Sequence, residues 1–242
     1  MERSVASDSG EVYRVFVYVP DTPPPPVGFP VLYVLDGEDN FPIAVSIARR
    51  LARAAARSGV RPGAVIGIDA GDLRRRAFDY TPDFGRPALK EGQPGYGLAT
   101  GGAVAFLDFI ARRLQPTLAH DLRLDSSRTT IAGHSFGGVL ALHALMSRPR
   151  QFCHHIAVSP SLWLADGALF NRIEEFSGAS EEISPGRLLV TVGEKEDYQS
   201  VHRFVERLKE RRIDATARTL AGWDASTAAE SGGSGDELSS LS

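Results

Sequence analysis

Arg128-Thr129-Thr130-Ile131-Ala132-Gly133-His134-Ser135-Phe136-Gly137-Gly138-Val139-Leu140 is the stretch on which the reading turns. Thr129 to Ala132 is short and β-branched, as a strand entering a turn should be, and Gly138 to Met146 is an apolar run that predicts a helix ending before Arg148-Pro149. Between them, Gly133-x-Ser135-x-Gly137 matches the pattern of a sharp strand-to-helix turn that carries a serine at its tip. The spacing has a steric cause. A serine whose Oγ must project above a sheet sits on strained backbone, and small residues two before and two after it keep the strand and helix from colliding. The competing reading is an ordinary glycine-rich turn, which the flanking strand and helix patterns argue against.

The rest of the chain is read outward from that turn. Val12 to Pro20 alternates β-branched or aromatic with polar residues and predicts an edge-type strand, followed by the stiff connector Pro23 to Pro26. Phe29 to Leu35 is continuously apolar, as a strand covered on both faces is, and stops at the turn signal Asp36-Gly37. Pro42 to Arg57 has helical periodicity, Val60 to Ile68 reads as a buried strand, and Gly71 to Leu98 reads as a long loop. Gly102 to Leu118 is an amphipathic helix with Phe106, Phe109, Ile110 and Leu114 on one face. Phe152 to Val158 and Arg187 to Val192 are strands, and Val201 to Arg211 is the last clear helix.

Strands and helices therefore alternate, which predicts an α/β domain with a mostly parallel central sheet and helices on both faces. With the serine turn, this is the α/β-hydrolase fold. The 242 residues, 43% hydrophobic, suffice for one such domain. We expect it to occupy residues 1–220. Residues 221–242, rich in Gly, Ser and acidic side chains, are expected to be a disordered tail.

Composition also excludes several classes. A formal net charge of −3 calls for no nucleic-acid or membrane partner, and the arginine runs Arg49 to Arg57 and Arg112-Arg113 read as solvated helix faces. The single cysteine, Cys153, permits no internal disulfide and favours no metal site. No stretch approaches the ~18 consecutive apolar residues of a membrane helix, and Met1 to Gly10 lacks the apolar core of a leader. The expected address is cytoplasmic, with no metal and no cofactor; oligomeric state is not legible.

A serine at such a turn is a nucleophile once its proton is taken, and the tetrahedral intermediate needs two donors. The turn assigns the first to the Phe136 amide. Asp36-Gly37-Glu38 follows an earlier strand, so the Gly37 amide is the second candidate, with a simple turn glycine as the alternative. The acid should follow the penultimate strand, where Gly193-Glu194-Lys195-Glu196-Asp197 stands. Glu196 is the first choice, Asp197 the second and Glu194 the third; a solvated acidic turn is the alternative.

At this point the chain resembles the esterase family that includes enterobactin-type siderophore esterases, bacillibactin esterases and, more distantly, esterase D. The carriers run in order from YRVFVYVP (13–20) through FPVLYVLDGE (29–38), RRRAFDYTP (74–82) and GGAVAFLDFI (101–110), then RTTIAGHSFGGVLALHAL (128–145), VSPSLWLADGAL (158–169) and LLVTVGEKED (188–197). The resemblance implies a serine carboxylic-ester hydrolase acting on a small-molecule ester, with Arg76, Asp79, Tyr80 and Trp163 as substrate contacts at the mouth of the site. For Arg76 and Asp79, an ion pair tying the loop down is the alternative.

The same resemblance exposes a departure. Relatives carry the catalytic histidine after the last strand, in a segment like Gly-Glu-Thr-His, followed by a closing helix. Here the corresponding stretch is Thr219-Leu220-Ala221-Gly222-Trp223-Asp224-Ala225-Ser226, and no histidine follows His202. His134, His143, His154, His155 and His120 are each placed wrongly for a base, and His202 is the least poor substitute. The C-terminal strand–helix unit is therefore expected to be lost or altered. One explanation is a catalytically dead, ligand-binding member of the fold. The preferred one is a reading frame shifted near Ala221.

Overall fold

The computed structural model describes residues 1–85, 91, 96–176 and 186–222. Strands β1 (Glu2–Ala6), β2 (Val12–Tyr18) and β3 (Phe29–Leu35) lead into helix α1 (Gly37–Arg53) and the short α2 (Ala55–Ser58). Next come β4 (Ala64–Asp69) and α3 (Leu73–Tyr80), then a long helix whose α4 (Ala103–Phe109) and α5 (Gln115–Asp121) are joined by one π-helical turn, Ile110–Leu114. The second half runs β5 (Leu124–His134), α6 (Phe136–Ser147), β6 (His154–Val158), α7 (Leu169–Glu175), β7 (Arg187–Gly193), α8 (Tyr198–Glu210) and β8 (Asp214–Leu220).

These strands form one 8-stranded sheet in the order β1-β2-β4-β3-β5-β6-β7-β8. Only the β1–β2 and β2–β4 pairings are antiparallel, and the others are parallel. The expected α/β-hydrolase architecture is present. Because β3, β5, β6, β7 and β8 run the same way, their carboxyl ends share one edge, the edge at which open α/β sheets bind ligands.

The two sheet faces differ. On one, Val15, Tyr33, Ile66, Ile131, Ala157, Val190 and Ala215 pack with α6, α8 and the 103–121 helix into a continuous core. On the other, α1 covers β2, β4 and β3. Beyond that helix, Thr130 and Ile156 are partly exposed and Leu189 and Thr216 are exposed.

Three expectations need correction. Val12–Tyr18 is not an edge strand, because Glu2–Ala6 pairs outside it. That outer strand buries only Val5, so its polar sequence hid it. The loop expected over Gly71 to Leu98 opens with α3, whose start is capped by the Asp72 carboxylate accepting from the Arg75 amide at 2.8 Å. The arginines of α3 mask its buried side, Ala77, Asp79 and Tyr80. Within the rest of that loop, residues 86–90 and 92–95 lie outside the described residues. Finally, β8 is in place, so any alteration of the C-terminal unit falls after it. Residues 223–242 of the expected tail also lie outside the described residues.

Candidate active site

The turn at Ser135 is built by steric necessity. Ser135 has φ 57° and ψ −113°, backbone that a non-glycine residue rarely holds. Its neighbours fix it there: the Ser135 amide donates to Val158 O at 3.0 Å, and its carbonyl accepts from the Val139 amide at 3.1 Å. A Cβ on Gly133 would lie 2.5 Å from the Gly137 carbonyl carbon, so only glycine closes the strand onto the helix start. A Cβ on Gly138 would come within 3.0 Å of Pro160. The spacing of the motif is thus a packing requirement of the bend.

Phe136 opens α6 and Gly37 opens α1, so both amides belong to the donors that a helix start leaves without intrahelical partners. Gly37 is also required by contact, since a Cβ there would meet the β4 backbone at Gly67 at 2.8 Å. Asp36, just before it, holds φ 54°. The two turns are joined by one side chain. Arg76 Nε donates to Asp36 Oδ1 at 2.7 Å, and one Arg76 terminal nitrogen donates to Asp36 Oδ2 and to the His134 carbonyl, each at 3.0 Å. The guanidinium also lies 5.2 Å from the centre of the Phe136 ring and 5.7 Å from that of Tyr80.

This arrangement places the expected substrate contacts differently from one another. Arg76 is an internal clamp paired with Asp36. Asp79 is buried, accepting from Arg75 Nε at 2.5 Å and from the Tyr13 hydroxyl at 3.0 Å. Burial pushes its carboxyl above the usual range, partly offset by Arg75. Tyr80 is fully buried; its hydroxyl accepts from the Asp36 amide at 3.1 Å and donates to Ile68 O at 3.4 Å. Tyr80 therefore braces the Asp36-Gly37 turn from below, while Asp79 ties α3 to Tyr13 of β2. Trp163, half-exposed, does line the pocket.

That pocket, about 390 Å³, opens at the carboxyl ends of the parallel strands and is lined by His134, Ser135, Ser161, Trp163, Lys195 and Glu196, among others. Within it Ser135 Oγ lies 3.1 Å from Ser161 Oγ, its hydrogen-bond partner among the described residues. The three acidic candidates have different partners. Glu196 lines the pocket and accepts from Ser159 Oγ at 3.0 Å. Asp197 also lines the pocket and caps α8 by accepting from the Ser200 amide at 3.1 Å; hydrogen bonding to the Ser200 side chain, and then to its amide, lowers its pKa. Glu194 accepts from the Gly222 amide at 3.0 Å, while its own amide donates to Leu220 O at 3.0 Å. The chain leaving β8 is thereby pinned beside the acidic loop.

No histidine bonds to Ser135 among the described residues. His134 lines the pocket, and burial followed by the charge of Arg76 holds its imidazole below its usual pKa. His202 donates to or accepts from Thr219 Oγ1 at 2.9 Å on the flank of α8, outside the pocket lining. His143 and His155 are buried in the core. Ser159 and Ser161 were not singled out from sequence as hydroxyl partners. Their signal was available, because Ser-Pro-Ser follows directly on β6, the strand beside β5, at the ligand-binding edge.

The family model described as "Putative esterase" matches residues 7–229. The ferri-bacillibactin esterase BesA of Bacillus subtilis is 31% identical over 197 residues, covering 79% of this chain and 68% of that protein. The siderophore triacetylfusarinine C esterase of Aspergillus fumigatus is 33% identical over 229 residues, covering 89% of this chain and 73% of the relative. Among solved structures, the BES protein of Bacillus cereus superposes with a TM-score of 0.78 at 24% identity, over 96% of this chain and 91% of that one. The enterobactin hydrolase IroE in complex with DFP superposes with a TM-score of 0.73 at 25% identity, over 94% and 88%.

Proposed function

The chain belongs to this esterase family, whose members are carboxylic-ester hydrolases, and from that premise we propose that it forms an acyl-enzyme at Ser135 on small-molecule esters of the siderophore type. The observation that carries the reading is the strained Ser135 at the tip of β5, with its hydroxyl in a pocket at the carboxyl edge of the sheet. Ser135 Oγ attacks the ester carbonyl. The Phe136 and Gly37 amides take the developing oxyanion, and the helix start behind Phe136 favours that charge. Collapse of the intermediate breaks the substrate C–O bond, the alcohol leaves with the proton lost from Ser135, and water then hydrolyses the acyl-enzyme to release the acid and restore the Ser135 hydroxyl. Glu196 is the acid of the constellation, held by Ser159, with Asp197 occupied as a helix cap. Trp163 offers an aromatic face to the ester's acyl or alcohol part.

The base is the weak point. Its place in such a site is just past β8, where the chain is pinned beside Glu194, and the residues there read Ala221-Gly222-Trp223-Asp224-Ala225-Ser226. A serine hydroxyl such as Ser161 cannot accept the proton of Ser135 at neutral pH. Turnover is therefore expected to be slow, with oxyanion and binding contributions leaving on the order of 10³-fold over water. Because the Ser135 hydroxyl meets another hydroxyl and no base, a second reading is a binding protein that holds an ester near Trp163 without cleaving it.

Imidazole added to the purified chain separates the two readings. p-Nitrophenyl acetate hydrolysis should be slow and should rise with imidazole concentration beyond the rate of a Ser135→Ala control. Equal rates for both proteins at every imidazole concentration would leave the binding reading standing.

A further inference from the structure

The sheet ends at β8, and its outer edge borders no further strand among the described residues. An exposed edge is ordinarily blunted by proline, a bulge or charged side chains. Strand β8 has no proline and no bulge: it reads Asp214-Ala215-Thr216-Ala217-Arg218-Thr219-Leu220, its register with β7 is unbroken along that whole length, and its two charges are of opposite sign. Its charges also have an order. Asp214 and Arg218 lie equally far on either side of Thr216, on the same face, and both are exposed. Asp214 meets Arg187 of β7 at 3.0 Å through one carboxylate oxygen, which leaves the other for a second partner.

This charge order is antisymmetric about Thr216. If a second β8 runs antiparallel to the first with Thr216 opposite Thr216, Ala215 falls opposite Ala217, and Asp214 falls opposite Arg218 on both sides of the two-fold axis. Directly opposed side chains of opposite charge, and a central threonine pair, are the combinations that stabilise an antiparallel ladder. We propose that β8 is a self-complementary edge through which two copies of this chain pair into one continuous sheet, each copy supplying an Asp214–Arg218 contact. The arrangement is isologous, as a two-fold dimer requires.

The opposite edge is a useful contrast. Strand β1 reads Glu2-Arg3-Ser4-Val5-Ala6, and folding it back on itself about Ser4 sets Glu2 opposite Ala6 and Arg3 opposite Val5. No charge there finds its complement. Arg3 is also already engaged with Asp121 on α5. Self-pairing therefore belongs to one edge and not the other.

Sedimentation velocity over a range of protein concentration tests the proposal with two single variants of the full chain. Arg218→Asp leaves acids at both ends of the motif, and Asp214→Arg leaves bases at both, so each should weaken self-association by at least about tenfold. Mixed together, the two variants regain both opposite-charge contacts and should associate as a heterodimer at the wild-type concentration range. That recovery also shows that both variants are folded. A wild-type chain that stays monomeric throughout the range would overturn the proposal. So would variants that dimerise alone as the wild type does, or that fail to associate when mixed.

Discussion

The half of the sheet around β5 and the half around β7 and β8 meet at the same pocket but are held in different ways. On the β5 side, backbone contacts dictate the geometry: Gly133 against Gly137, Gly37 against β4, and Arg76 bonded at once to Asp36 and the His134 carbonyl. On the β7–β8 side, the chemistry depends on side chains in partly exposed loops, namely Glu196 on Ser159, Asp197 on Ser200 and Glu194 on Gly222. The first half is over-determined by backbone contacts, so the bend at Ser135 does not depend on which side chains the second half supplies.

The sharpest way to break this contrast is to crowd the bend itself. Gly133→Val would place a side chain where even a Cβ lies 2.5 Å from the Gly137 backbone. A loss above about 4 kcal/mol is expected, seen as failure to accumulate folded protein. Near-normal thermal stability in that variant would mean that the bend is not built as described. Arg76→Met is the next step down. It strips a mostly buried carboxylate and the His134 carbonyl of their shared donor, and should cost about 3 kcal/mol in denaturant unfolding. Asp36→Asn together with Arg76→Met should recover part of that loss, because the stranded charge is then gone.

Legibility followed local sterics and burial and cut across both halves. Gly133-x-Ser135-x-Gly137 and Phe29 to Leu35 could be read because local sterics and continuous burial fix their residue types. Arg76 was visible as a notable residue but not as the partner of Asp36. That pair spans 40 positions and exists only once α3 is laid against the ends of β3 and β5. Helix α3 was itself hidden by its arginines. Strand β1 could not be read because it lies at the sheet's edge and buries a single valine. The Ser-Pro-Ser stretch after β6 marked Ser159 and Ser161 as residues of the ligand-binding edge, but their partners Glu196 and Ser135 come from strand ends on either side of β6 and are set only by the sheet order.

Acid titration sharpens the comparison further. Among the described residues, His155 has both ring nitrogens buried without a hydrogen-bond partner and His143 has one, and burial lowers their pKa values to about 3 and about 4. In the unfolded chain these imidazoles charge near pH 6.5. The fold therefore binds fewer protons than the unfolded state below that pH, and stability falls as pH drops from about 6.5 toward the folded values. The slope is at most about 1.4 kcal/mol per pH unit for each group. Unfolding at pH 7 and pH 5 should differ by up to about 2 kcal/mol less in His155→Leu than in wild type. An unchanged difference would show that other groups set the acid sensitivity.

Asp197 behaves otherwise. Its lowered pKa means that its contribution is complete above the ordinary carboxylate range and fades only below it. Asp197→Ala should cost about 1 kcal/mol through loss of the α8 cap, and that cost should be the same at pH 7 and pH 5. A pH-dependent cost across that interval would assign Asp197 a different role.

An acyl-enzyme requires an accessible, activatable Ser135. Intact-mass analysis after treatment with a fluorophosphonate, with and without imidazole, measures that directly. One adduct per chain, mapped to Ser135, faster with imidazole and absent from Ser135→Ala, is the expected result. Folded protein that takes no adduct under either condition, or that is labelled equally in Ser135→Ala, would contradict it.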